Sequence, residues 1–171
     1  MVNAQNIKKY LAETFVLDGK ITRITEKIEV LRAMQVAGGS LSHNVGGGTK
    51  SRNIRRDEDL SIEILLLEEC LVKTKIELLT HERDVKKLAD AAKRPIGRAI
   101  ITWRYICRLA WKDIAERAEL SEIHAMREHN AAIKEMCVAM DGSNAALSQF
   151  HPHAVFETAA GYCNLCLPCC K

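Results

Sequence analysis

The sequence predicts an all-α fold, a long antiparallel helical hairpin followed by a three-helix helix-turn-helix unit. Two apolar seams of nearly heptad spacing and one compact motif carry that expectation. The first seam is Ile7, Tyr10, Thr14, Leu17, Ile21, Ile24, Ile28 and Leu31. The second is Leu60, Ile64, Leu67, Leu71, Thr74, Leu78, His81, Val85, Leu88 and Ala92. A step close to 3.5 residues, held over several heptads, is the spacing of helices packed lengthwise on one another. The motif lies between Ala99 and Met136.

The first helix is expected from Ile7 to about Val36. Gly19 sits inside it and weakens it by about 1 kcal/mol relative to alanine, which a kink or a plain continuation can absorb. Residues 37–56 then break the pattern. Gly38, Gly39, Gly46, Gly47 and Gly48 lie among serines and asparagines with no apolar run, the composition of a flexible connection. Lys50, Arg52, Arg55 and Arg56 close it as a basic cluster, read as a solvated loop, with a phosphate-contacting arm as the sharper alternative. Gly48-Thr49-Lys50 is no phosphate-binding loop, because the GxxxxGK[ST] order and a preceding strand are absent.

The second helix is expected from Asp57 to about Lys93, with Asp57, Glu58 and Asp59 favouring its positive end. A second stripe, Leu65, Val72 and Leu79, runs beside its main seam. Two stripes call for two partners: the first helix covers one, and a second copy of the chain or the helix-turn-helix unit covers the other, with self-association the preferred expectation. His81 on the seam reads as a satisfied edge histidine rather than a ligand. Pro95 ends this helix and suits the first turn of the next.

Within the motif, Ile100, Trp103, Ile106 and Cys107 give a lead-in helix one apolar face. Trp111–Arg117 reads as a short second helix with Ile114 and Ala115 inward. Ala118-Glu119-Leu120 makes the turn. Ser121 is a suitable N-cap for a third helix reaching about Met136. Trp103, Tyr105 and Trp111 read as core residues rather than stacking platforms. In this geometry the helix after the turn lies in the DNA major groove, while the helices before it cross the backbone. The candidate base-reading positions are Ser121, Glu122, Ile123, His124, Arg127 and Asn130, with Met126 beside them. Candidate phosphate contacts are Arg98, Arg104, Arg108 and Lys112. They belong to a basic stretch, Lys93–Arg117, in which seven cations face only Asp113 and Glu116.

These residues carry a resemblance. Arg104-Tyr105-Ile106, Trp111-x-Asp113-Ile114-Ala115, Leu120-Ser121 and His129-x-x-Ala132-Ile133 are similar to the pattern of small phage and prophage proteins with a sigma-70 region-4-like helix-turn-helix. Those proteins are grouped with ArpU-type late transcriptional regulators. The family's helical hairpin with a glycine-rich connection matches the order here, over roughly residues 5 to 137. The resemblance implies a phage-encoded, DNA-binding transcriptional regulator, whose partners would be double-stranded DNA and RNA polymerase or another host protein. A rival of another class is an interaction protein, such as an inhibitor of a host or defence enzyme. Glu119, Glu122, Glu128 and Glu135 favour it, because carboxylates repel phosphate. A third reading, the small subunit of a DNA-packaging terminase, shares the same parts and predicts a ring.

An enzyme is not expected. His43, His124 and His129 have no carboxylate or nucleophile at a recognisable spacing, and Glu68-Glu69 reads as a solvated edge. No apolar run reaches the length of a membrane span. The start, MVNAQNIKKY, lacks the apolar core of a secretion signal, so a cytoplasmic protein of the bacterial host cell is expected. A linker at Asp141–Asn144 leads into a tail rich in cysteine. There Cys163, Cys166, Cys169 and Cys170 are candidate zinc ligands, with His151 and His153 nearby. Cys163-x-x-Cys166 has a usual knuckle spacing, but the second pair is compressed. No other cofactor is expected.

Overall fold

The computed structural model describes residues 3–40 and 50–142, with the side chains of 38–40, 50–55 and 140–142 left aside. Among the described residues there are five α-helices and no strand: α1 Ala4–Ser40, α2 Lys50–Asp90, α3 Pro95–Ile101, α4 Trp111–Arg117 and α5 Glu122–Gly142. A π-helical turn, Thr102–Ile106, continues directly from α3. The fold is all-α, as the two seams predict. No helix of the described residues is long and apolar enough to cross a membrane.

Both long helices extend further than their apolar periods suggest. Helix α1 runs through Gly19 without interruption and on to Ser40, and α2 starts at Lys50. Much of the stretch expected as a loop, residues 37–56, is therefore helical. Backbone hydrogen bonds propagate a helix past its last apolar contact, because each added residue completes another bond. Asp57, Glu58 and Asp59 consequently lie about two turns inside α2 rather than in its first turn. The dipole argument for them does not apply, since that effect is confined to the terminal turn.

The chain divides into two compact units that cut across sequence order. One is Leu17–Leu79; the other joins Met1–Val16 to Thr80–Lys171. In the first, the two helix segments pair antiparallel, burying Ile24, Ile28 and Leu31 of α1 and Ile64, Leu67, Thr74 and Leu78 of α2. The Gln35 side-chain amide donates to Ser61 Oγ at 2.8 Å. Lys27 pairs with Glu63, and Arg32 with Glu68. Buried Thr74 satisfies its hydroxyl on the Cys70 carbonyl of its own helix.

In the second unit, Ile7 and Leu11 of α1 pack with Val85, Leu88 and Ala92 of α2 and with Ala132, Ile133 and Met136 of α5. Leu11 is fully buried and Tyr10 is not, so the seam at this end passes one position beyond the expected Tyr10. Tyr10 instead meets the His81 ring at a tilt of 60°, centroids 4.4 Å apart, and His81 Nε2–H donates to the Tyr10 carbonyl at 2.9 Å. His81 is thus the satisfied edge histidine that its seam position suggests. A smaller core of Ile100, Ile114, Ala115 and Ala125, flanked by Trp103 and Trp111, holds the three short elements together. Gly97 sets how closely α3 approaches α5: a Cβ there would lie 2.9 Å from the Ala132 Cβ.

Candidate nucleic-acid interface

The turn between α4 and α5 is a Schellman motif. The Leu120 amide donates to the Ala115 carbonyl at 2.9 Å, and the Glu119 amide to the Glu116 carbonyl at 3.2 Å. That pairing needs a left-handed residue at its hinge, and Glu119 supplies it with φ 54°. Glycine is the usual occupant, so Glu119 carries strain of about 1 kcal/mol or more. Two residues later Ser121 caps α5: its Oγ accepts from the His124 amide at 3.3 Å and stands 3.1 Å from His124 Nδ1. The chain thus changes direction within three residues and starts a new helix at a fixed angle.

Helix α5 divides sharply into two faces. Ala125, His129, Ala132, Ile133 and Met136 are buried. Glu122, Ile123, His124, Met126, Arg127 and Asn130 are exposed, as are Ser121 and Lys134. All six base-reading candidates are therefore exposed, from the cap at Ser121 to the third turn of α5 at Asn130. Two exposed side chains on this side are apolar, the candidate Ile123 at 65% and its neighbour Met126 at 38%.

Behind this face stands a buried polar pair. Tyr105 Oη lies 3.0 Å from His129 Nε2, and Trp111 meets the same imidazole edge-on at 5.2 Å. Burial pulls the His129 pKa down to about 4, helped by Lys8 and Arg104 and opposed by a hydrogen bond with Asn130. The imidazole is neutral near pH 7, and its tautomer sets which of Tyr105 Oη and His129 Nε2 donates in their shared hydrogen bond. Tyr105 itself comes from the π turn, whose extra residue per turn rotates the side chains that follow.

The basic stretch is less open than its sequence suggests. Arg104 donates to the Leu109 carbonyl at 2.8 Å, with its guanidinium carbon 5.1 Å from both the Phe15 and Trp111 ring centroids. Arg108 adopts a left-handed backbone, φ 56°, and pairs with Glu82 at 2.6 Å. Both were candidates for phosphate. Each is committed inside the unit instead, because its half-buried position demands a partner. Arg94 bridges Glu128 at 2.8 Å and Glu135 at 2.9 Å, while Glu135 also accepts the Lys93 amide at 2.8 Å. The Arg94 bond holds the Glu135 carboxyl below the usual carboxylate range against the opposing effect of desolvation. Lys93, Lys112 and Arg117 remain exposed, and Arg98 is half-buried.

Glu82 and Phe15 were not legible as parts of this region. They lie far off in the chain, and no motif links them to it. The candidate zinc ligands Cys163, Cys166, Cys169 and Cys170, with His151 and His153, lie outside the described residues.

Residues 35–137 match DUF1492, described as a protein of unknown function. No curated protein and no solved structure matches the chain.

Proposed function

This chain belongs to the DUF1492 family, and we propose that it is a phage-encoded, DNA-binding transcriptional regulator resembling sigma factor region 4. The observation that carries the reading is the open outer side of α5, presented immediately after a Schellman turn and a serine cap. An exposed helix of this kind fits the width of the major groove. Arg127 would pair with a guanine edge, Asn130 with adenine, and Glu122 with the amino group of cytosine. His124 stands between them. Ser121 acts as the cap rather than as a base contact, since its oxygen already serves His124. Arg98, Lys112 and Arg117 would hold phosphate from the helices before the turn. The long helices would carry the contact to RNA polymerase.

Titrating duplex DNA against salt tests this. Phosphate contacts by Arg98, Lys112 and Arg117 imply a log–log slope of roughly −3 per chain. Arg127→Ala should weaken binding only to sequences that present guanine at one position.

A second reading is an interaction protein that uses the same face on another protein. Exposed Ile123 and Met126 favour it, because apolar side chains in that position add nothing to phosphate binding. If neither random nor promoter DNA is retained at about 50 mM salt, this second reading replaces the first.

A further inference from the structure

We propose that the outer side of α2 between Ile62 and Leu79 is the seam of an antiparallel homodimer. The inner side of this segment is occupied by the hairpin through Ile64, Leu67, Thr74 and Leu78. Opposite them, Ile62, Leu65, Val72, Ile76 and Leu79 are each more than half exposed. With Glu69 they step by 3, 4, 3, 4 and 3 residues, the a/d alternation of a coiled-coil seam. The row is roughly 25 Å long at 1.5 Å per residue. Large apolar side chains scattered singly over a surface need no explanation, but a continuous row of them marks a contact.

The stripe is complementary to itself when reversed. A two-fold axis between positions 70 and 71 sets Ile62 against Leu79 of the second copy, Leu65 against Ile76, and Glu69 against Val72. A two-fold contact requires this kind of self-match, in which one patch serves both sides. The same axis sets Glu68 on the same flank of the seam as Lys75 of the second copy, two positions past the residue directly opposite, twice by symmetry. Both residues flank the seam. Arg32 engages Oε1 of Glu68, and a carboxylate offers a second oxygen.

The parallel alternative fails at Glu69. It would set Glu69 against its own copy inside the seam, and like charges there cost several kcal/mol. Reversed, Glu69 faces a valine and keeps its ion pair with Lys73 at 2.7 Å, at the edge of the seam. One polar residue in an otherwise apolar seam thus selects orientation.

Sedimentation equilibrium of the full chain in reductant tests the proposal. The expected mass is twice 19.1 kDa. Ile76→Lys should raise the dissociation constant about a hundredfold with helicity unchanged, because the residue is more than half exposed. Leu65→Gln gives a second, milder variant should the lysine disturb folding. Lys75→Glu should weaken the dimer about tenfold, and Glu68→Lys with Lys75→Glu should recover it to within about threefold. A parallel pair would set Glu68 near Lys73 instead, so the double exchange would not recover it. A monomer at all concentrations, a ring, a dimer indifferent to Ile76→Lys and Leu65→Gln, or a double exchange without recovery would each overturn the proposal.

Discussion

Replacing Gly97 by alanine is the sharpest test of how α3 and α5 meet. The added methyl would stand 2.9 Å from the Ala132 Cβ and 3.7 Å from its Cα. Carbon atoms in contact prefer about 3.5 to 4.0 Å, so the two helices must part by roughly half an ångström or more. The Ala132 Cβ has no torsion through which to yield, and Ala132 is buried. Overpacking of this kind costs about 1–3 kcal/mol. The better helix propensity of alanine returns at most about 1 kcal/mol of that. A net loss of about 1–2 kcal/mol is expected in urea unfolding followed by helicity. The informative variant is the double one. Ala132→Gly alone should be destabilising by about 1–2 kcal/mol, from lost helix propensity and one lost methyl. Combined, the two substitutions should be more stable than their summed costs by about 1–3 kcal/mol, because the clash has gone. A Gly97→Ala protein as stable as the parent, or a double variant that merely adds, would refute the close approach.

Four further outcomes are expected. Stability should fall as pH drops from 6.5 toward 4, because the unfolded chain then binds a proton that buried His129, with its pKa of about 4, refuses. The slope approaches 1.4 kcal/mol per pH unit at most, and is lost in His129→Gln when denaturant midpoints are measured across that range. Glu119→Gly should raise stability by about 1 kcal/mol, read as a melting temperature higher by roughly 2–4 °C, because glycine adopts φ near 54° without strain. Lys112→Ala should flatten the salt dependence of DNA binding by about one unit of slope without lowering the melting temperature. Arg104→Ala should do the reverse, lowering the melting temperature and leaving the slope alone, because its guanidinium is spent between Phe15, Trp111 and the Leu109 carbonyl.

What was legible in the sequence was periodic or local. Most positions of the inner seams of α1 and α2 appear among the buried residues, because the side chains that must leave water repeat at the helix period. The turn at Ala118–Leu120 and the cap at Ser121 were legible for another reason. Their hydrogen bonds span five residues or fewer, so the whole signal sits in one short window. What escaped was long-range or aperiodic. Nothing in the sequence pairs Arg108 with Glu82, 26 positions away, or Arg94 with Glu135, 41 away. The ends of the long helices escaped too, because a solvated last turn needs no apolar residue. The division into compact units cuts both seams at points where the period continues unbroken, near Val16 and Leu79.

The Arg94 bridge changes how the acidic residues of α5 weigh on function. By sequence alone, Glu119, Glu122, Glu128 and Glu135 form an acidic set hostile to phosphate. In the fold, Glu128 and Glu135 point to Arg94, and Glu135 also takes the Lys93 amide at the entry to α3. Arg94 offsets one of these two carboxylate charges at a few ångströms and salt screens the remainder within about 10 Å, so the pair contributes less field at a docked duplex than two free carboxylates would. The outer side of α5 is then left with Glu122 as its exposed acid against exposed Arg127 and Lys134. One acid at the helix N-terminus is also where a carboxylate is favoured by the helix itself. Two of the four acids that favour a protein partner, Glu128 and Glu135, are thus the ones that fasten α5 to the start of α3, while Glu119 and Glu122 stay exposed. The choice between groove and protein rests on Ile123 and Met126 against Arg127 and Asn130, four residues on two adjacent turns.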